Sequence, residues 1–171
     1  LSRWRGGHGN IVRAMPNMPA LALAGMTGLF AMPAVSKEQK DAAQELMGAA
    51  GATLWFEDEN NLDAVTALSG SGTAYVFYFL EAMQQAGVEL GLTKEAARSL
   101  GVCTFLGAAK LAAESPDDAA TLRQRVTSKG GTTERALSVM EAAQIKTHLI
   151  DAIKQAATRS QELGDELGKT V

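Results

Sequence analysis

The spacing of hydrophobic residues changes once along the chain, close to Asn60. Before that point, three short β-prone runs are separated by glycine, proline and polar residues, as strands are; they cover residues 11–14, 26–31 and 52–56. Between the last two runs, Ser36 begins a capping-box pattern, after which apolar residues recur at helical intervals. Strands alternating with a helix predict the end of an α/β domain over residues 1–59.

After this point, apolar residues recur every three or four positions, which is the period of a helix. The region 60–171 is therefore predicted to be mostly α. A helix over residues 73–85 is apolar on nearly all sides, so another surface must cover it, and a partner subunit is the simplest candidate. Further helix starts are predicted at Thr93 and at Ser115, which precedes a proline, and a last helix over residues 149–163.

Composition and charge narrow the class of protein. Of the 171 residues, 46% are hydrophobic and 20% charged, which is typical of a packed globular chain. A net charge of -3 gives no basic surface, so no nucleic-acid partner is expected. The single Cys103 fits a reducing compartment, and the longest apolar run, residues 74–80, is too short to cross a membrane. We therefore expect a cytoplasmic protein without membrane association. Because the chain begins with Leu1, we also expect a partial chain.

The sequence contains few residues that could bind a metal ion or catalyse hydrolysis. Only His8 and His148 are present and cysteine pairs are absent, so no metal site is expected. We interpret His148 as a structural or surface residue, and His8 as part of a glycine loop. Residues 70–72, Gly-Ser-Gly, are interpreted first as a kink where two helices pack closely, with backbone approach to a substrate as the alternative.

Residues 126–137 form the segment that is richest in groups able to bind a ligand. Two glycines, Gly130 and Gly131, precede threonines at the start of a helix, so free N–H groups and hydroxyls could converge on an anion. A small carboxylate there would also meet the Ser128 hydroxyl and the positive end of the helix dipole. The alternative is an ordinary capped turn with Thr132 as N-cap, and such turns are far commoner than anion sites.

Four segments carry a family resemblance. They are Val-Thr-Ser-Lys-Gly-Gly-Thr-Thr-Glu-Arg-Ala-Leu at 126–137, Val-Arg-Ala-Met-Pro-Asn-Met-Pro at 12–19, Asp-Ala-Val-Thr-Ala-Leu-Ser-Gly-Ser-Gly-Thr-Ala-Tyr at 63–75, and Gly-Ala-Ala-Lys at 107–110. Together they resemble the pyrroline-5-carboxylate reductase family, and the similarity spans essentially the whole chain. Thr73 and Lys129 depart from it, since prolines are usual there, but both are turn positions. The family's Gly-x-Gly-x-x-Gly turn is missing, so the chain resembles the C-terminal portion.

The resemblance implies a fold and an activity. Residues 1–59 would be the C-terminal part of an NAD(P)-binding Rossmann-type domain, and residues 60–171 a helical dimerisation and substrate-binding domain. The activity would be reduction of 1-pyrroline-5-carboxylate to L-proline, the last step of proline biosynthesis, with NADPH or NADH as cofactor. The helical domains of this family interlock between subunits, which implies a homodimer or a larger homo-oligomer.

The resemblance also assigns site residues. The substrate carboxylate would bind the loop from Ser128 to Thr133, through Ser128, Gly131, Thr132 and Thr133, and Thr133 would be the catalytic side chain nearest the ring nitrogen. Glu59 would face the proline product, although an exposed place in an acidic run is its plainer interpretation. Arg125 would touch the cofactor.

Two other functions compete with this one. A related hydroxyacid dehydrogenase would need a lysine and an asparagine on the helix after residues 70–72, but Val76 occupies the lysine position. The chain could instead be an isolated helical dimerisation module without activity of its own. We expect this chain alone to self-associate and to show little or no reductase activity.

Overall fold

The computed structural model describes Gly7 and residues 9–169. The chain divides into two compact units, the first formed by Leu1–Ala74 with Asp151–Val171 and the second by Tyr75–Ile150. The predicted domain division after residue 59 stays a prediction. His8, which we assigned to a glycine loop, lies outside the described residues.

A three-stranded sheet organises the first unit. Strands β1 (Val12–Met15), β2 (Gly25–Ala31) and β3 (Gly51–Phe56) lie in the order β1-β2-β3. The pair β1–β2 is antiparallel, whereas β2 and β3 are parallel and joined by helix α1 (Lys37–Gly48). The predicted α/β end is thus confirmed, with each strand within one residue of its predicted start.

Helix α1 begins where the capping-box pattern places it. The Ser36 hydroxyl accepts the Gln39 N–H at 3.3 Å, and the Gln39 side chain accepts the Ser36 N–H at 2.9 Å. These reciprocal bonds satisfy two donors that a helix start otherwise leaves unpaired. The capping box therefore fixes where the crossover between β2 and β3 begins.

Three helical segments follow the sheet. Helix α2 (Asn61–Val65) passes into a π-helical turn (Thr66–Gly70), and helix α3 (Gly72–Glu89) begins two residues later. The π geometry is marked by the Ser71 N–H, which donates to the Thr66 carbonyl at 2.8 Å. Residues 70–72 thus lie at a helix irregularity, in keeping with the interpretation as a kink.

The core of the first unit lies between the sheet and α2. Leu29 on β2 is fully buried, and Leu62 and Ala67 are almost so. At Gly28, an added Cβ would lie 2.8 Å from the Val65 side chain, so this glycine lets α2 approach the sheet closely. On the last helix, α7 (Ile145–Lys169), the Ser160 hydroxyl donates to the Asp63 carboxylate at 2.7 Å. These contacts fix the position of the turn from β3 into α2.

Asn17 joins three parts of the first unit that are distant in sequence. It follows β1, its side-chain oxygen accepts the Met26 N–H at 2.9 Å, and its amide nitrogen donates to the Ser69 hydroxyl at 3.1 Å. All three residues are partly buried. Asn17 therefore connects the segment after β1 to strand β2 and to the π-helical turn.

We expect Asn17→Ala to lower the free energy of unfolding by about 2 kcal/mol, because it leaves a partly buried N–H without a partner. Urea denaturation of the chain measures this change. Asn17→Asp is the matched control, since a carboxylate can still accept from both Met26 and Ser69. Equal destabilisation by the two substitutions would show that these hydrogen bonds do not stabilise the fold.

The second unit contains most of α3 and three further helices. These are α4 (Lys94–Glu114), α5 (Ala119–Arg125) and α6 (Thr132–Ala142). The Thr93 hydroxyl accepts the Ala96 N–H at 3.2 Å, which confirms Thr93 as a helix start. The two helices α3 and α4 approach closely where Ala97 is buried against Gly87, whose added Cβ would lie 2.9 Å from that of Ala97.

One predicted helix start is wrong. Ser115 is the C-cap of α4, and its hydroxyl accepts the Asp117 N–H at 3.1 Å within a turn. The N-cap of the next helix is Asp118, three residues later, whose carboxylate accepts the Thr121 N–H at 2.8 Å. That hydrogen bond favours the charged form and lowers the pKa of Asp118. Helix α5 is thus capped by the carboxylate of Asp118 and not by the hydroxyl of Ser115, which the following proline had suggested.

Helix α3 is rich in apolar side chains, but the chain alone leaves many of them exposed. Phe77 is 53% exposed and Tyr78 72% exposed, and no residue of α3 is buried among the described residues. Helix α4 also exposes Leu100, Leu106 and Leu111. Large exposed apolar surfaces of this kind mark interaction sites. Separately, no helix in the described part of the chain has the length and apolar character needed to cross a bilayer.

Candidate functional site

The loop between α5 and α6 is built around a tight turn. The Gly131 N–H donates to the Ser128 carbonyl at 3.0 Å, and Gly130 has a φ of 73°. A positive φ at the third turn position is typical of a type II turn, in which proline is common at the second position. Lys129 occupies that second position, which agrees with its interpretation as a turn residue.

The helix start after this turn differs from the predicted capped turn. Gly131 is the N-cap of α6 and makes no side-chain cap bond, while Thr132 is the first helical residue. The prediction of Thr132 as N-cap is therefore wrong. Instead, the Glu134 carboxylate reaches back and accepts the Gly130 N–H at 2.7 Å. One acidic side chain within the chain thus already occupies part of the loop.

The turn and Glu134 use two of the loop's amides but leave others free. Among the described residues, no acceptor is found for the N–H groups of Thr132 and Thr133 or for the hydroxyls of Ser128, Thr132 and Thr133. Thr133 is half-buried, whereas Ser128 and Thr132 are exposed. Two amides and three hydroxyls at a helix N-terminus suit a small anion.

Gly131 matters to the loop because glycine has no side chain. A Cβ added at Gly131 would collide with the Ser128 hydroxyl and lie 3.0 Å from the Ser128 carbonyl oxygen. Its own N–H is already used in the turn. Glycine at this position therefore keeps the Ser128 hydroxyl against the backbone at the start of α6.

Arg125, the predicted cofactor contact, is the last residue of α5. It forms an ion pair with the Asp117 carboxylate, and its side chain is largely exposed. A cation in the last turn of a helix is also favoured by the helix dipole. The sequence contains no Gly-x-Gly-x-x-Gly turn, the motif that holds the pyrophosphate of a dinucleotide in Rossmann-type domains.

Glu59 lies in the first unit, in the turn between β3 and α2. Its carboxylate accepts a hydrogen bond from Arg13 on β1, with 2.6 Å between Nη1 and Oε1. Its backbone carbonyl accepts the Leu62 N–H at 3.0 Å. The other predicted site residues belong to the second unit.

Two residues that contact the predicted site were missed by the sequence interpretation. Glu134 stands three positions after the N-cap, where an acidic side chain commonly folds back, so a local signal existed. Arg13 is separated from Glu59 by 46 residues, and nothing local indicates that pair.

Other reactive side chains do not cluster in the described part of the chain. There, no group of three or more His, Cys, Asp or Glu residues could hold a metal ion. Cys103 is a free, exposed thiol on α4, and His148 is exposed on α7. At the π-helical turn, an added Cβ at Gly70 would lie 2.8 Å from the end of the Met15 side chain.

Comparison with known proteins places this loop and Glu59 within one family signature. The family model described as pyrroline-5-carboxylate reductase dimerisation matches residues 59–163. A pyrroline-5-carboxylate reductase of Pseudomonas aeruginosa is 45% identical over 169 residues, covering 99% of this chain and 62% of the relative. That of Haemophilus influenzae is 47% identical, covering 90% of this chain and 57% of the relative. The chain thus spans about three fifths of their length.

Solved structures give the same result. A pyrroline-5-carboxylate reductase of Coxiella burnetii superposes with a TM-score of 0.90 at 46% identity, covering 95% of this chain and 60% of that one. A pyrroline carboxylate reductase of Plasmodium falciparum with NADP bound has a TM-score of 0.88 at 28% identity, covering 96% of this chain and 67% of that one. The α/β end and the helices of this chain therefore have counterparts in these longer reductases.

Proposed function

This chain belongs to the pyrroline-5-carboxylate reductase family, and from that membership we propose that the full-length protein reduces 1-pyrroline-5-carboxylate to L-proline with NADPH or NADH. Full-length protein here means a protein that contains this sequence and has the length of its relatives. The supporting observation is the family match over residues 59–163, which includes both Glu59 and the loop from Ser128 to Thr133.

The substrate carboxylate is assigned to the start of α6. The free N–H groups of Thr132 and Thr133 and the Ser128 hydroxyl are donors there, and the helix dipole favours negative charge. Hydrogen bonds to a charged acceptor contribute about 1.5–3 kcal/mol each. Because the Gly130 and Gly131 amides are already used, the proposed site has fewer backbone donors than the sequence suggested, and Gly131 contributes by allowing close approach.

Thr133 is assigned to the ring nitrogen. The nitrogen of the imine must be protonated by the end of the reaction, and a threonine hydroxyl is too weak an acid to supply that proton alone at neutral pH. Thr133 therefore hydrogen-bonds the nitrogen and relays a proton from water. Its half-buried position in the first turn of α6 keeps the hydroxyl in a fixed place.

The nicotinamide cofactor supplies hydride to the carbon of the C=N bond. The Plasmodium falciparum relative was solved with NADP bound, which supports a nicotinamide dinucleotide as the cofactor of this protein. Arg125 is the residue of this chain that is assigned to the cofactor. Correct placement of the two reactants can lower the barrier by about 7 kcal/mol or more.

A homodimer or a larger homo-oligomer is proposed for the quaternary structure. The matching family model describes dimerisation, and the exposed apolar side chains on α3 and α4 need a cover that the chain does not provide. The apolar character of α3, predicted from the sequence, is explained by such an assembly. The alternative of a dimerisation module without activity applies to this chain when it is produced alone.

The test compares this 171-residue chain with the full-length protein. Each is assayed for oxidation of NADPH and of NADH in the presence of 1-pyrroline-5-carboxylate, and each mass is measured by sedimentation. We expect reduction by the full-length protein, little or none by the chain alone, and self-association of both. A full-length protein that does not reduce the imine would overturn the proposed activity, and a monomeric chain would contradict the proposed assembly.

Replacing Ser128 with alanine in the full-length protein tests the carboxylate site. We expect the Michaelis constant for the imine to rise about tenfold or more while turnover changes less, because one hydrogen bond to the carboxylate is lost. Steady-state kinetics measures both constants. Ser138→Ala is the control, since the Ser138 hydroxyl donates to the Arg135 carbonyl of its own helix at 2.8 Å. An unchanged Michaelis constant for Ser128→Ala would remove Ser128 from the site.

A further inference from the structure

A groove of about 870 Å³ lies open between α3 and α4, and its lining residues all belong to the second unit. Phe77, Val88 and Val102 line this α3–α4 groove, and all three side chains are exposed. A pocket for a small molecule encloses most of its ligand, whereas a groove that runs between two helices suits another helix. The α3–α4 groove is therefore shaped for a protein surface.

The two walls of the groove carry opposite charges. Glu81 and Glu89 line it from α3, whereas Lys94 and Arg98 line it from α4. All four side chains are exposed. Within the described part of the chain, none of these four residues forms an ion pair. The groove thus has an acidic wall and a basic wall, and the chain leaves the charges of both without a close counter-charge.

The two walls run in opposite directions from a common end. Helices α3 and α4 are joined by residues 90–93 alone, and they approach each other closely at Gly87 and Ala97. A connection this short makes the two helices antiparallel neighbours. Glu89 and Lys94 therefore lie at the same end of the groove, next to the connection, and the second charge on each wall lies further along.

We propose that two copies of this chain associate through the α3–α4 groove, with a twofold axis that runs parallel to the two helices. This inference rests on the homo-oligomer of the proposed function. Such an axis places α3 of one copy over α4 of the other and keeps the two connections at the same end. Each acidic wall then faces a basic wall, and the twofold symmetry makes every such contact twice.

The charges distinguish this arrangement from the other simple twofold arrangement. An axis that crosses the helices would place α3 over α3 and α4 over α4, so that like charges would face each other, which costs free energy. Either arrangement would cover the apolar side chains in the groove. The acidic and basic walls therefore select which helix of the second copy lies over each helix of the first.

The test uses two charge-reversed variants of the full-length protein. Lys94→Glu/Arg98→Glu makes both walls acidic, and Glu81→Lys/Glu89→Lys makes both walls basic. We expect each variant alone to have a dissociation constant about a hundredfold higher than wild type, because the charges that attract each other then repel. An equal mixture of the two should associate as wild type does, because each acidic groove then faces a basic one. Sedimentation velocity with one variant fluorescently labelled measures these constants.

Lys37→Glu/Lys40→Glu on α1 of the first unit is the control. It changes the net charge as much as Lys94→Glu/Arg98→Glu does, but outside the groove, so association should stay at the wild-type level. Circular dichroism checks that each variant folds. If a double variant does not fold, the single variants Lys94→Glu and Glu89→Lys give the same comparison with a smaller effect.

Three results would overturn the inference while an assembled wild type keeps the proposed homo-oligomer in place. They are wild-type association of the charge-reversed variants alone, a mixture of folded variants that stays dissociated, and an equal loss in the α1 control. A wild-type protein that is monomeric would remove the proposed assembly and this inference together. Reductase activity is measured separately and does not depend on this outcome.

Discussion

Replacing Thr133 with valine in the full-length protein is expected to lower turnover about a hundredfold. Valine keeps the shape of threonine but cannot hydrogen-bond the ring nitrogen or relay a proton, and proton transfer by a positioned group contributes about 100-fold or more to a rate. The fold should tolerate the change, because the Thr133 hydroxyl has no partner among the described residues. Steady-state kinetics with saturating cofactor measures this effect.

Thr133→Ser is the matched control for this prediction. Serine keeps the hydroxyl at the same position in the first turn of α6 and lacks only a methyl group, so most of the turnover should remain. If valine leaves both turnover and the Michaelis constant at their wild-type values, Thr133 has no part in the reaction. A loss with serine as large as the loss with valine would show that the hydroxyl alone does not account for the effect.

The parts of the fold that were predicted from the sequence are those with local causes. The capping box at Ser36 depends on residues three apart, and its two hydrogen bonds are present as expected. The strands are short β-prone runs bounded by glycine, proline and polar residues, and each begins within one residue of its predicted start. In each case, the residues that determine the structure are neighbours in the chain.

The candidate site was predicted less completely, because its details depend on competition between groups. The sequence shows that the amides around Gly130 can be free, but Glu134 reaches one of them first. It also shows that Ser115 can cap a helix, whereas Asp118 does so with a carboxylate three residues later. In both places, several acceptors lie close to one donor in the sequence. The sequence alone does not show which acceptor forms the hydrogen bond.

The contacts that were not predicted at all are long-range. Arg13 and Glu59 meet because three strands bring the two segments to one face of the sheet, and no spacing rule links residues so far apart. The exposed side of α3 is a second example. Its apolar residues predict that it is covered, but only a second chain can supply that cover, and one sequence does not describe its partner.

Substituting Gly51 with alanine is expected to destabilise the first unit by about 3 kcal/mol. Gly51 begins β3 with a φ of 146°, a conformation that residues with a side chain rarely adopt. An added Cβ would collide with the backbone of Gly25, its partner on β2. Backbone atoms cannot rotate away as a side chain can, so strain and lost strand pairing add together. Urea denaturation followed by circular dichroism measures the free energy of unfolding.

Gly48→Ala is the control for Gly51→Ala, because the two glycines lie close together but differ in environment. Gly48 is an exposed residue at the end of α1, and an added Cβ there would have no atom within 4 Å. Alanine in a helix is more stable than glycine by about 0.5–1 kcal/mol, so this variant should unfold at the same or a higher urea concentration. Wild-type stability of Gly51→Ala would show that β2 and β3 separate at this point in solution. In that case, the close backbone contact between Gly25 and Gly51 would not determine where the parallel pair begins.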